Sequence, residues 1–397
     1  MIRKALIERI FEGFSIQRWN DMARPMDLVE MDKHGHKMAL AWMIAREEED
    51  QGRPVHWTHL VEGAIFELFR RIVIADIKAT IQRDIRRRSP EVAARLDDFA
   101  IRSIAPLLPD EALRRRMAEY LKSDGDFDPA ARRILDAAHA LATRWEYRLL
   151  RPINGISHRI EDLDRWMERD LDPHLEIAGV RSLVTRAPQA GFGDLVAQLR
   201  FQVRWSQTPR VPRTSVLGHS MYVAVLAFLV LREMGACPRR IRNGVFGALF
   251  HDLPEALTRD IPSPIKGSDP GLQEVIGQIE RALVEEQVYP LLPEAWAADL
   301  RYLIQDEFAS RVRVDGGVRP VSTEAIQAAY NEDRFDGYDG EVVKVCDHLA
   351  AFVEARASLD MGIRTAHLEH GVGHLRALYR DRTLAGVDLG ALYADFG

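Results

Sequence analysis

His219, the adjacent pair His251-Asp252, and Asp347 are the residues of this 397-residue chain best suited to chemistry in combination. Two imidazoles and two carboxylates drawn from three separated segments can converge on one metal ion in a helical core. Such a nitrogen and oxygen set suits a single first-row divalent ion, Mn, Fe, Co, Ni or Zn, with positions left open for water and substrate. No thiolate takes part, which fits an open catalytic site better than a closed structural zinc site. Glu255 and Asp260 follow the doublet closely and are placed for acid-base work. Singly, each residue has a blander explanation: a satisfied histidine at a helix start, a polar pair at a helix end, a salt-bridged aspartate. The four together are harder to explain that way.

The segments around them read as helices. GALFHDLPEALTRDI, residues 247–261, carries the doublet at the end of an apolar run. Leu253 precedes Pro254 and is biased away from helical geometry, so the first helix is expected to end there and a new one to begin with Pro254 near its first position. Adjacent helical residues point about 100° apart, so His251 and Asp252 reach one ion most easily at a helix end. Asp347 sits within VVKVCDHLAAFVEARASL at 342–359, an apolar helix in which an unpaired carboxylate would be costly to bury. MALAWMIAREEE after His36 and MYVAVLAFLVLREMG after His219 are further helices. Alternating strand patterns are scarce, and the expected fold class is all-α. Loops are expected at 208–218, 267–271 and 313–320, where Pro and Gly concentrate.

A second stretch, GAIFELFRRIVIADI at 63–77, repeats the frame of the doublet segment with Glu67-Leu68 in place of His251-Asp252. Gly63 aligns with Gly247, Asp76 with Asp260 and Ile77 with Ile261, without a gap. Upstream, Arg18-Trp19 matches Arg204-Trp205, and the Gly35-His36 pair matches Gly218-His219. Downstream, LATRWEYR at 141–148 lies on LAAFVEAR at 349–356. Four segments in one order imply a tandem duplication of one helical domain. The expected architecture is two helical bundles in tandem, residues 1–180 and 181–397, forming an intrachain pseudo-dimer about a pseudo-twofold axis.

Net charge of -6 gives no basic footprint for nucleic acid or anionic lipid. Two cysteines, Cys237 and Cys346, make no disulfide framework, and the charged start MIRKALIERIFEGF is unlike a signal peptide. Apolar runs fall short of the roughly 20 residues of a membrane span. A cytoplasmic protein without nucleic-acid or membrane partners is expected.

The pattern of a His, a His-Asp doublet and a distant Asp resembles the HD superfamily of metal-dependent phosphohydrolases. The nearer resemblance is to bacterial 5'-deoxynucleotidases, which release phosphate from deoxynucleoside 5'-monophosphates. It rests on Arg204-Trp205 before the first His and on PEALTRDIPSPIK, from Pro254 to Lys266, after the doublet. It covers residues 195 to 360. The resemblance implies His219, His251, Asp252 and Asp347 as metal ligands, Glu255 and Asp260 as acid-base groups, and a small nucleotide as substrate. Arg204 suits bidentate phosphate binding. Trp205 would pack on the sugar and disfavour a 2'-hydroxyl, and Lys266 would add charge near the phosphate. The alternatives are hydrolysis of another phosphorylated metabolite or nucleotide, such as a triphosphate or an alarmone, and a non-catalytic nucleotide-binding regulator. Retention of Glu255 and Asp260 beside all four ligands favours an enzyme.

The first half keeps Arg18, Trp19, His36 and Asp76 but carries Leu68, which cannot bind a metal, and Arg71 in place of Glu255. His139 takes the position of Asp347. A catalytically inactive copy is expected, serving as scaffold in preference to an anion pocket lined by Arg18, Arg70 and Arg71. His370 and His374 have helical spacing, but Gly371 and Gly373 between them point to a polar surface tail.

Overall fold

The computed structural model describes residues 2–75, 77–123, 125–259 and 269–397. Asp76, Asp260 and Lys266 lie outside them. The chain forms two compact units, Met1–Arg181 and Ser182–Gly397.

The first unit comprises α1 (Lys4–Phe11), α2 (Glu30–Asp50), α3 (Trp57–Ile74), α4 (Ala79–Arg88), α5 (Pro90–Ile104), α6 (Glu111–Lys122), α7 (Pro129–Leu150) and α8 (Ile160–Leu171). Its core is the bundle of α2, α3 and α7. At two helix starts of this unit a side chain satisfies free backbone donors: Asp110 caps α6, and Asp128 caps α7 just before Pro129. α9 (Ala178–Val184) carries the chain across the division.

The second unit holds α10 (Pro188–Gln198), α11 (Val216–Glu233), α12 (Pro238–Phe250), the single turn α13 (Glu255–Thr258), α14 (Pro270–Gln287), α15 (Glu294–Ile304), α16 (Thr323–Ala329), α17 (Gly340–Asp360), α18 (Ala366–Tyr379) and α19 (Leu389–Ala394). α11 is apolar on all sides and runs through the centre, packed between α12 and α17. Its length and mean hydropathy of 1.5 would suit a membrane span, closer to one than the sequence suggests, but 89% of it is buried within its own unit.

Two expectations need correction. The segment 313–320 is not an open loop: Arg311–Val314 (β1) and Gly317–Pro320 (β2) pair antiparallel across Asp315-Gly316. Both turn residues have positive φ, 54° and 78°, the geometry that Asp-Gly favours in a two-residue hairpin. Thr383–Leu384 (β3) and Val387–Asp388 (β4) form a second, shorter hairpin. The tail around His370 and His374 is helical, because packing of Leu368, Val372 and Tyr379 outweighs the helix cost of two glycines.

One close approach deserves its residue. A Cβ on Gly247 would lie 2.3 Å from Cε2 of Tyr338, so only glycine lets α12 pass that ring. Gly63 of α3 is similarly confined, its Cβ position falling 2.7 Å from Leu135 and 2.8 Å from Tyr120.

Candidate metal centre

The site is assembled where the extended segment around residue 203 meets the start of α11. Val203 bridges Ser215 in antiparallel fashion, and the Arg204 amide donates to the Thr214 carbonyl at 2.9 Å. The Ser215 hydroxyl accepts from the Gly218 amide and fixes the helix start, so His219 enters the core in the first turn of α11. α12 ends at Phe250 and α13 begins at Glu255, with the doublet in the turn between them. Asp347 and Glu354, seven residues apart on α17, share one face two turns apart.

His219, His251 and Asp347 offer ligand atoms that all lie within 4.8 Å of one another. His219 Nε2 is 2.9 Å from Asp347 Oδ1 and 4.0 Å from Asp252 Oδ2. His251 Nε2 is 3.2 Å from Asp252 Oδ1 and 4.0 Å from Asp347 Oδ1. The structure therefore brings the four residues expected as ligands close together, Asp252 beside the other three.

The imidazoles are oriented from behind. His219 Nδ1 lies 3.2 Å from Glu354 Oε1, and His251 Nδ1 donates to the Ala248 carbonyl at 2.7 Å. Both rings thus turn Nε2 toward the shared space, as metal-ligating histidines do when a carboxylate or carbonyl holds the other nitrogen. His251 Nε2 is buried and makes no hydrogen bond, although two carboxylates approach it. A buried nitrogen lone pair facing carboxylates is the donor set a divalent cation satisfies, and these residues fit the ion implied by the sequence.

Charge is concentrated here. Burial and the Arg204 guanidinium press His219 toward neutrality, yet Glu354 and Asp347 outweigh them and raise its pKa to about 9. Burial alone would raise Asp347, but the hydrogen bond from His219 and the charges of His219, His251 and Arg204 hold it well below the usual carboxylate range. Glu354, also opposed by burial, is held down by Arg210, Arg204 and His219.

Arg204 Nη1 stands 3.3 Å from Asp252 Oδ2, and its Nε lies 3.5 Å from Glu354 Oε2. It therefore stands at the rim of the cluster, held between two carboxylates. Trp205, with φ of 58°, donates its indole N–H to Glu354 at 2.9 Å, and the far edge of its ring faces Gly371. Glu255 is buried at the start of α13, and its carboxylate is one of the charges that raise the Arg204 pKa.

Sequence reasoning missed Glu354, which touches His219, Trp205, Arg204 and Arg210. The signal was present: aligning LATRWEYR with LAAFVEAR places Glu146 on Glu354, a matched acid inside an apolar helix.

The first unit repeats this frame with different side chains. Gln17 bridges Val29 as Val203 bridges Ser215, and Arg18 N–H donates to the Leu28 carbonyl as Arg204 N–H does to that of Thr214. Trp19 has φ of 57° and donates to Glu146 at 2.9 Å, and Arg18 Nε meets the same carboxylate at 2.8 Å. This pairing continues into α2 and places Lys33, not His36, at the position of His219. Lys33 Nζ lies 2.5 Å from His139 Nδ1, whereas the His36 ring sits edge-on to Trp145 at 5.4 Å. Glu67 is bound by Lys37 and Tyr120, Leu68 is buried in the core, and Arg71 pairs with Glu30 at 2.6 Å.

These arrangements agree with the comparisons to known proteins. Residues 196–376 match the family model described as an HD domain. The chain is also similar to proteins named 5'-deoxynucleotidase. The relative in Vibrio vulnificus is 31% identical over 117 residues, 28% of this chain and 59% of that protein. The one in Pasteurella multocida is 25% identical over 179 residues, 43% of this chain and 75% of its own length. That of Vibrio cholerae is 26% identical over 191 residues, 46% of this chain and 88% of the relative. The chain thus spans less than two thirds of the first of these.

Proposed function

We propose that the second unit is a metal-dependent phosphohydrolase that removes phosphate from deoxynucleoside 5'-monophosphates. The observation that carries this reading is the convergence of His219, His251 and Asp347 within 4.8 Å, beside the Asp252–Arg204 contact. His219, His251, Asp252 and Asp347 would hold one divalent transition metal: Mn, Co, Fe, Ni or Zn. When bound, such an ion neutralises charge on the phosphoryl group and makes water more acidic. Glu354 and the Ala248 carbonyl keep both imidazoles oriented and present Nε2 to the ion. Arg204, already held at the edge of the cluster, binds the phosphate with its fork of N–H donors. Trp205 limits room at the sugar, Glu255 and Asp260 move protons to and from water and the leaving 5'-oxygen, and Lys266 adds positive charge.

The first unit, in this reading, is a diverged copy without hydrolytic activity, joined to the second near residue 181. The chain acts in the cytoplasm on small nucleotides. The experiment is phosphate release from a panel of deoxy- and ribonucleoside 5'-monophosphates, with Mn, Co, Mg or Zn restored to metal-stripped protein. Metal-dependent release favouring deoxy substrates and lost in Asp252→Ala supports the reading. No release from the panel despite metal binding would turn it toward another phosphoester, and equal release from ribo substrates would remove the role given to Trp205.

A further inference from the structure

The first unit contains a cavity of 750 Å³, lined only by its own residues between Gln17 and Trp166. Among its lining side chains, eight are Arg or Lys and four are Asp or Glu. This excess of positive charge is gathered in one concave space, and such clefts focus field on an anionic ligand.

Several of these cations are matched within the unit. Arg18 and Arg71 share Glu30, Arg70 meets Asp97, and Lys78 and Arg159 meet Asp21. Two others make their direct contacts with neutral groups, though carboxylates lie farther off: Glu30 and Glu146 for Lys33, Asp136 for Arg132. Lys33 contacts the His139 imidazole. Arg132 donates to the Tyr120 carbonyl at 2.9 Å and lies over the Tyr120 ring at 4.2 Å. Burial, with Arg18 and Lys37 nearby, pushes the Lys33 ammonium well below its ordinary pKa and outweighs the opposing pull of Glu30 and Glu146. An arriving dianion would add negative charge to a space in which cations outnumber acids eight to four.

The volume falls within the roughly 300–1,000 Å³ of small-molecule sites and far exceeds what a bare phosphate requires. Trp19 and Trp166 contribute aromatic surface to the same cavity. Aromatic walls beside cations suit a phosphate ester that carries a flat ring. Among the described residues, the candidate metal-binding group belongs to the second unit, so nothing in this cavity calls for a metal.

We infer that the first unit binds a nucleoside monophosphate in this cavity without a metal and without hydrolysing it, with Lys33 and Arg132 receiving the phosphate. The site is separate from the proposed catalytic centre, and its occupancy does not depend on what that centre hydrolyses.

The test uses the full-length Asp252→Ala protein in chelator, so that the second unit is silenced. Calorimetry with dAMP, dGMP, dCMP and dTMP is compared with inorganic phosphate and deoxyadenosine. One site per chain is expected for at least one monophosphate, with weaker binding of phosphate and none of deoxyadenosine. Arg132→Gln should weaken the monophosphate by about tenfold or more. Arg132 is half-buried at a cavity edge, so this variant should fold, which circular dichroism checks. Lys33→Met should weaken binding further if it also folds. Three outcomes would overturn the inference: no binding of any of the four monophosphates, deoxyadenosine binding as tightly as dAMP, or loss of binding in Arg204→Ala with none in Arg132→Gln. Phosphate release by the wild-type chain tests the second unit alone, so either reading can fail without the other.

Discussion

Four residues into α2 stands Lys33, and four residues into α11 stands His219. Each faces the long helix that brings the same buried glutamate behind it, Glu146 in one unit and Glu354 in the other. The arginine and tryptophan that hold that glutamate are alike in both, down to the left-handed backbone at Trp19 and Trp205. What differs is the centre. In the second unit, imidazoles and carboxylates are turned inward with lone pairs to offer; in the first, ammonium and guanidinium groups fill the equivalent space and bring their own positive charge. The comparison separates scaffold from chemistry: the frame survives substitution of every group that could hold a cation.

The sharpest way to break this comparison is a matched pair of substitutions on the two long helices. Asp347→Asn removes a candidate ligand and should lower phosphate release on the order of a thousandfold or more, with metal content falling in elemental analysis. His139→Asn, at the equivalent place in α7, should leave release and metal content unaltered. A large loss in both would mean that the units do not work separately.

A smaller effect should appear in stability. Glu30 is almost wholly buried between Arg18 and Arg71. Burial favours its neutral form, but Arg18, Arg71 and Lys33 prevail and hold its pKa far below the ordinary range. A carboxylate with a depressed pKa stabilises the folded state above its unfolded pKa of about 4.3, and that contribution is lost as pH falls below it. Glu30→Gln leaves the buried Arg71 without its carboxylate and Arg18 with Glu146 alone, and should cost about 3–5 kcal/mol near pH 7. The gap from wild type should shrink as pH drops below about 4, where the wild-type carboxylate begins to lose its advantage. Hydrogen exchange of α2 amides measures this within the first unit. A gap independent of pH would show that the loss comes from packing and not from charge.

The centre of the second unit was legible because its residues are rare together: two histidines and two acids in apolar helices are difficult to explain otherwise. Glu354 was less legible because a single acid in a helix has many ordinary explanations, and only the repeat distinguishes it. The equivalence of Lys33 and His219 was hidden for a physical reason. Sequence matching rewards identity, and it paired His36 with His219, whereas register in the fold is set by the backbone bridges Gln17–Val29 and Val203–Ser215. The β1–β2 hairpin was written plainly as Asp-Gly between Val-rich segments, but four-residue strands give too short an alternation to stand out in a helical chain. The cavity of the first unit could not be read at all, since its walls come from residues 17 to 166 and depend on side-chain packing.

The least change expected comes from the two tryptophans. Each indole N–H donates at 2.9 Å to a buried glutamate, so Trp19→Phe and Trp205→Phe each remove one hydrogen bond to a charged acceptor, worth about 1.5–3 kcal/mol. Equal losses, read by denaturant unfolding with exchange assigned to each unit, are the outcome if the two frames are equivalent. Function should then divide them: Trp205→Phe frees Glu354 to shift against His219 and Arg204 and should raise KM for the deoxynucleotide, whereas Trp19→Phe should leave catalysis unchanged. Unequal stability losses with equal catalysis would reverse the assignment, making Trp205 a packing residue whose likeness to Trp19 is structural alone.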